Sequence, residues 1–328
     1  MDFWKLLQNE KIAIDESIEG NFSLIKNVKL RESSTHLIRA GGKRIRPLLL
    51  ALAHKAAGGN NLDAISIAST SIEYLHNWTL IHDDIIDESE TRRKSPTVHK
   101  KWDANTAILA GDILQNLIFL IIAKDKSLGK NKDKVTEILA ETAMAILDGE
   151  MLDVDFEKSS DITEEEYFEM IYKKTATLIK SAIKIGAILA TDNEKIIDAL
   201  SDYGNSIGIA FQIQDDLLDL LGEEEKVGKS LGRDIAEGKR TLMVIHSLNN
   251  SSQELKNKLL EILDKKENTP EEIKQAIDII KQTGSIKYAR SILKKFISES
   301  KTKLEIVPDS QYKFELIKLA DFFEIRDY

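Results

Sequence analysis

The sequence predicts an all-α protein, and three observations predict it. No stretch of any length alternates apolar and polar residues with the period of a strand. Apolar positions recur instead at helical spacing along nearly the whole chain. The four prolines are Pro47, Pro96, Pro270 and Pro308, so positions 97 to 269 hold none and long helices are permitted there. At 328 residues the chain can bury a large core, and length alone leaves one or two domains open.

Residues 5–40 read as two amphipathic helices parted near Gly20-Asn21, with Leu24, Ile25, Val28 and Leu37 among the repeating apolar positions. Gly41-Gly42-Lys43-Arg44-Ile45-Arg46-Pro47 follows. A helix over 48–57 is broken by Gly58-Gly59-Asn60-Asn61, and the next runs over 62–87. Helices are expected over 104–127 and 132–148, with an acidic loop to Asp161 and a capping box at Thr163 and Glu166. The helix after it carries Lys174 and Thr175, and a Thr there is most simply explained by bonding back to its own helix. Residues 193–221 form a further helix in which Gly204 and Gly208, one turn apart, suggest close helix contact. Gly222 to Arg240, rich in glycine and alternating charge, reads as a mobile flap. From 241 onward the pattern is helical again, with Pro270 and Pro308 near helix starts.

Two stretches carry the chemistry. Asp83-Asp84-Ile85-Ile86-Asp87 and Asp215-Asp216-Leu217-Leu218-Asp219 share one pattern, 132 residues apart (215 minus 83), and each ends an apolar helix. The first and last Asp of each triplet are i and i+4, so they leave one face about one turn apart. Three carboxylates so placed repel one another unless a cation sits among them. Oxygen ligands with no cysteine suit a hard divalent ion such as Mg²⁺, which takes few carboxylates and completes its shell with water and phosphate oxygens. One triplet alone is explained as well by a solvated helix end; two copies point to a shared metal site.

Cations stand where such a site needs them. Lys43, Arg44 and Arg46 follow a glycine pair that permits close backbone approach, and Arg and Lys suit phosphate. Cations at a helix start oppose the macrodipole, so they need another reason to be there. Arg92 and Arg93 sit just after the first triplet, where they either touch what the metal touches or merely neutralise it. Lys229, Arg233 and Lys239 either close over phosphates or are solvated. His82 reads as a core residue, while His76, two turns before the triplet, either does the same or faces the same cavity as the triplet.

The chain has no cysteine, which removes disulfides and thiolate metal sites and fits a reducing compartment. The N-terminus lacks the basic-then-apolar order of a signal peptide, and no apolar run is expected to reach the roughly 20 residues that span a bilayer. A cytoplasmic location is expected. A formal net charge of −9 argues against nucleic acid as a partner.

Taken together, Gly-Gly-Lys-Arg-x-Arg-Pro at 41–47, the two Asp triplets, Arg92-Arg93, Lys174-Thr175 and Phe211-Gln212 resemble the trans-isoprenyl diphosphate synthases, the polyprenyl synthetase family, over nearly the whole chain. The resemblance implies one domain over 1–328, an all-helical barrel of long antiparallel helices around a deep cavity, and a homodimer. It implies that Asp83 and Asp87, with Asp215 opposite, bind three Mg²⁺ on an allylic diphosphate, and that Asp84 and Asp216 belong to the same catalytic motifs. Arg92, Lys174, Gln212 and Lys239 are implied on the allylic side, with Thr175 and Gln212 near the developing cation and Lys229 among the catalytic residues. Lys43, Arg46, His76 and Arg93 are implied on the diphosphate of isopentenyl diphosphate. Glu150 departs from the Gln that many relatives carry after Gly149.

Product length is expected to follow cavity depth. Trp78 lies five residues before Asp83, about 7–8 Å along the helix, and an indole there can close the floor, although Leu75 and Thr79 are closer to Asp83 in helical phase. Family members with an aromatic here make C20 and sometimes C15 products, so geranylgeranyl diphosphate is expected. Farnesyl or medium-chain products are the alternatives. A class I terpene cyclase has no use for a second diphosphate clamp at Lys43 to Arg46, and an inactive regulatory subunit is expected to have eroded carboxylates, whereas both triplets are intact.

Overall fold

The computed structural model describes residues 3–157, 159, 161–222, 232–265 and 267–325. The regular structure of the described residues is helical apart from one two-residue antiparallel pairing of Thr91–Arg92 with Ser95–Pro96. Its contacts form two compact units. One comprises Met1–Met144, Leu178–Gly204 and Leu304–Leu316; the other Ala145–Thr177, Asn205–Lys303 and Ile317–Tyr328.

The first unit is built around the helix Leu62–Ile86. The helices Gln8–Asn21, Ile45–Ala56 and Ala104–Lys124 pack along it. Its inner two-thirds is buried nearly all round, by Ala64, Ile65, Ala68, Ile72, Leu75, Trp78 and Ile81, and each large apolar side chain so buried contributes about 1.5–3 kcal/mol. Asn61 caps its start by accepting from the Ala64 amide, and its end is marked by Glu88, whose φ of 50° no helix continues. The first break in the chain falls after Gly20, since the Gln8–Asn21 helix runs through it and Val28–Arg39 follows.

One expectation needs correction. Ala104–Lys124 is 21 residues and is long and apolar enough to cross a membrane by length and composition, although the sequence was expected to contain no such run. Asp112, Gln115 and Asn116 break the periodic pattern without lowering the apolar content below that of a span. Half of the apolar window is buried in the fold, against Leu62–Ile86 and Val28–Arg39, as in a core helix.

Helices approach closely where glycine removes the Cβ. A Cβ on Gly186 stands 2.2 Å from the Leu50 carbonyl oxygen, and one on Gly204 2.9 Å from the Lys180 Cα. His54 fastens the first of these contacts: its Nδ1 bonds the Gly186 carbonyl at 3.1 Å and its Nε2 accepts from the Asn61 amide at 3.2 Å. Burial pushes this imidazole down to about 4, so it is neutral and can accept there.

In the second unit Leu242–Asn250 packs on Ser285–Lys303, Gln253–Leu263, Pro270–Gln282 and Glu164–Ile171. The capping box at Thr163 and Glu166 is formed, and Thr269 with Glu272 makes another ahead of Pro270. Lys132–Phe156 runs past its expected end at 148. The expected flap is also corrected over its described part, 232–240: Ile235 is buried and Arg240 bonds Ser159, Gly238 and Asp264, so this part is packed down.

Gly186→Ala is expected to lower unfolding free energy by about 1–3 kcal/mol through overpacking. A shift of the urea midpoint at constant slope measures it.

Candidate active site

In the first unit the Leu62–Ile86 helix delivers Asp83 and Asp87 half-buried, with carboxylate oxygens within 4.8 Å of each other. Asp84, one residue round the helix, is 1% exposed. Arg92 reaches back from the short pairing that follows, donating from Nε to Asp84 Oδ1 at 2.6 Å and from Nη2 to Asp83 Oδ2 at 3.0 Å. Burial raises the Asp84 carboxyl to about 6 against the pull of Arg92, with Asp83 and Asp87 adding to the rise. Asp84 is thus an anchor for Arg92, with the outer carboxylates turned to the half-open face.

The other cations of the sequence motifs in this unit lie at the turn 41–44 with the start of Ile45–Ala56, and at the turn that joins the short pairing. Lys43 is exposed. Arg46 Nη1 stands 3.2 Å from His76 Nε2. Burial and then the charges of Arg46, Arg93, Arg92 and Arg44 hold His76 well below its ordinary value, so it is neutral and accepts from Arg46. Arg93 Nη1 donates to the Leu37 carbonyl at 2.7 Å and to Asn77 Oδ1 at 3.2 Å. Thr79 shares the half-buried face with His76 and Asp83, whereas Leu75 and Trp78 are buried, the indole edge-on to His82 at 6.1 Å. His82 bonds the Ile108 carbonyl at 3.1 Å but is half-buried rather than the core residue expected, since it sits at the edge of the contact with Ala104–Lys124, beside Asp112.

In the second unit Asp215 is exposed and Asp219 half-buried, while Asp216 is 5% exposed. Tyr167 Oη donates to Asp216 Oδ2 at 2.7 Å and Gln212 Nε2 to Asp216 Oδ1 at 2.8 Å. Burial raises Asp216 to about 7 despite these donors, and Asp215 and Asp219 push the same way. Gln212 in turn accepts from Thr175 Oγ1 at 2.7 Å. Thr175 therefore does not serve its own helix, which corrects the simpler sequence reading. The reason is local: Tyr172–Ala176 is a π-helical turn, a feature frequent at functional sites, and it changes where Lys174 and Thr175 project. Gly149 admits this turn, since a Cβ there stands 2.4 Å from the Lys174 amide nitrogen.

The residue that sequence reasoning missed is Asp153. Its Oδ2 accepts from Lys174 Nζ at 2.6 Å and from Lys239 Nζ at 2.9 Å, so one buried carboxylate holds both lysines. Burial pushes Asp153 up, but the two ammonium groups outweigh it and leave the carboxyl below its ordinary range. Glu150 adds a second partner to Lys174 at 2.9 Å and Glu157 one to Lys239 at 2.8 Å. Only the spacing of Asp153 four residues after Gly149 hinted at it. Lys229 lies outside the described residues.

Residues 27–280 match the Polyprenyl synthetase family profile. The chain belongs to this family. A short chain isoprenyl diphosphate synthase of Methanothermobacter thermautotrophicus is 40% identical over 328 residues, covering 100% of both chains. A geranylgeranyl diphosphate synthase of Methanosarcina mazei is 39% identical over 98% of this chain and 97% of its own. The crystal structure of a geranylgeranyl pyrophosphate synthetase from Pyrococcus horikoshii superposes with a TM-score of 0.93 at 40% identity, covering 99% of this chain and 98% of that one. This polyprenyl synthetase is accordingly a prenyltransferase with the all-α fold of those enzymes.

The residues fit the metal the family uses. Asp83 and Asp87 supply oxygen donors only, from one helical face and at a spacing that a hydrated ion bridges with little side-chain movement. When bound, Mg²⁺ neutralises charge on a leaving diphosphate.

Asp153→Asn is expected to loosen Lys174 and Lys239 together, lowering kcat/KM about 10–100-fold, the usual effect of losing a supporting partner. Initial rates with each substrate varied in turn check this.

Proposed function

We propose that this prenyltransferase condenses isopentenyl diphosphate head-to-tail with dimethylallyl, geranyl and farnesyl diphosphate and releases geranylgeranyl diphosphate. The observation that carries the reading is that each triplet closes an apolar helix with its middle carboxylate buried and tied to the protein and its outer two half-buried or exposed, beside cations that are themselves held in place. In this reading Asp83, Asp87 and Asp215 hold Mg²⁺, three ions in all, and the two units act as one catalytic domain.

Arg92, Lys174 and Lys239 stabilise the negative charge that grows on the allylic diphosphate as its carbon–oxygen bond breaks, the largest kind of contribution in such reactions. Lys229 belongs to the same group. Thr175 Oγ1 and Gln212 Oε1, bonded to each other, present lone pairs to the allylic cation. Lys43, Arg46, His76 and Arg93 grip isopentenyl diphosphate. The neutral His76 donates from Nδ1 while Arg46 occupies Nε2. The double bond of isopentenyl diphosphate attacks the cation, and the departing diphosphate takes the proton lost, so no strong protein base is required.

The C20 assignment is supported by the Methanosarcina mazei relative, named a geranylgeranyl diphosphate synthase, and by Trp78, Leu75 and Thr79 on the helix that ends in Asp83. A homodimer is supported by Ile108, Leu109, Phe119 and Leu120, which are 40–57% exposed on one face of Ala104–Lys124 and suit a second copy. A cytoplasmic site of action belongs to the same proposal.

Purified protein with Mg²⁺, isopentenyl diphosphate and each primer is expected to give C20 diphosphate by chromatography after phosphatase treatment. Hydrocarbon from an allylic diphosphate alone contradicts the reading. Trp78→Ala is expected to lengthen the product by one or more isoprene units; unchanged length removes Trp78 from the floor.

A further inference from the structure

The two loops that bear cations in the first unit each pass through the left-handed region at an arginine, with φ of 50° at Arg44 and 54° at Arg93. A side chain disfavours that conformation, which persists only where the surroundings over-determine it. Both arginines lead to the same buried pair, Glu73 and Asn77, one turn apart on Leu62–Ile86 and 2% and 0% exposed. Arg44 Nη1 donates to Glu73 Oε1 at 2.9 Å, its Nη2 to the Ile38 carbonyl at 2.9 Å and its Nε to Asp15 Oδ1 at 3.4 Å. Every nitrogen of this guanidinium is therefore engaged inside the protein. Asn77 Nδ2 donates to Glu73 Oε1 at 2.9 Å, and Asn77 Oδ1 accepts from Arg93 Nη1.

The glycine pair closes the arrangement. A Cβ on Gly42, whose φ is +150°, stands 3.2 Å from Arg44 Nη1 and 3.3 Å from Arg93 Cζ, so both guanidinium groups flank the turn that presents Lys43. Two cations this close repel, and the Glu73 carboxylate is the buried charge that offsets them, with Asn77 relaying it to Arg93. Arg93 Nε and Nη2 donate to no acceptor among the described residues, which leaves that edge of the guanidinium for an anion.

We propose that Glu73 and Asn77 are the positioning pair of the isopentenyl diphosphate site, Glu73 fixing the 41–44 loop and the helix start that carries Arg46 through Arg44, and Asn77 aiming Arg93. Arg44 is then a brace, and the three cations of the Gly-Gly-Lys-Arg-x-Arg motif divide into one strut and two ligands. The proposal rests on the assignment of Lys43, Arg46, His76 and Arg93 to isopentenyl diphosphate.

Steady-state kinetics with each substrate varied separately test it in Glu73→Gln, Asn77→Leu, Arg93→Ala and the Asn77→Leu/Arg93→Ala double variant. Glu73→Gln and Asn77→Leu are expected to raise KM for isopentenyl diphosphate about tenfold, a step of ~1.4 kcal/mol. KM for farnesyl diphosphate and kcat are expected to stay within about twofold, which general loss of structure does not produce. The double variant is expected to be no worse than Arg93→Ala, because Asn77 acts through Arg93. Circular dichroism reports folding, and Asn77→Ser, which keeps a small hydroxyl, replaces Asn77→Leu in both the single and the double variant if that variant is unfolded. Folded Glu73→Gln and Asn77 variants with unchanged KM, or additive effects with Arg93→Ala, overturn the proposal. An unchanged KM in Arg93→Ala itself overturns the site assignment beneath it.

Discussion

Clustered carboxylates on one helical turn set the terms for the rest of this protein. Two unit negative charges 4–5 Å apart near a protein surface oppose each other by about 3–4 kcal/mol, and each triplet contains three. The fold answers both triplets alike, by withdrawing the middle member. Asp84 goes to Arg92, and Asp216 to Tyr167 and Gln212. Both oxygens of Asp216 have donors, whereas at Asp84 only Oδ1 does, so the Arg92 contact alone offsets the burial there. The outer carboxylates, Asp83 with Asp87 and Asp215 with Asp219, stand at i and i+4, half-buried or exposed, with Asp83 also accepting from Arg92.

The cations are prepared in the same way. Lys174 and Lys239 share Asp153, Arg92 bridges two members of the first triplet, and Arg44 is locked by Glu73. Each positive group thus arrives with its flexibility already reduced, so ligand binding need not order it again. Glycines make this geometry possible at particular points: Gly149 lets the π turn carrying Lys174 and Thr175 approach, and Gly42 leaves room for two guanidinium groups.

The fold class and the chemistry-bearing motifs were legible because they are local. Asp-Asp-apolar-apolar-Asp declares its own geometry once it lies on a helix, and the Thr163 and Pro270 helix starts are read from four residues each. What was hidden depends on partners distant in sequence. Nothing near Thr175 announces a π turn, whose consequence is a bond to a glutamine 37 positions on. Asp153 looks like one acid in an acidic stretch until Lys174 and Lys239 fold onto it. Arg44 is indistinguishable from Lys43 and Arg46 as a phosphate ligand until Glu73 takes its donors. The apolar length of Ala104–Lys124 was missed for the opposite reason, since three polar residues masked a run that composition alone reveals.

The division between outer and middle carboxylates is tested most directly by titrating Mn²⁺, a spectroscopic substitute for Mg²⁺, by electron paramagnetic resonance with a thio-analogue of farnesyl diphosphate that ionises slowly. The account predicts analogue-dependent Mn²⁺ binding that Asp83→Asn and Asp215→Asn each weaken at least about tenfold, as expected for lost metal ligands. It predicts that Tyr167→Phe, which removes only a donor to Asp216, leaves the ions in place. Unchanged Mn²⁺ affinity in both aspartate variants would contradict it.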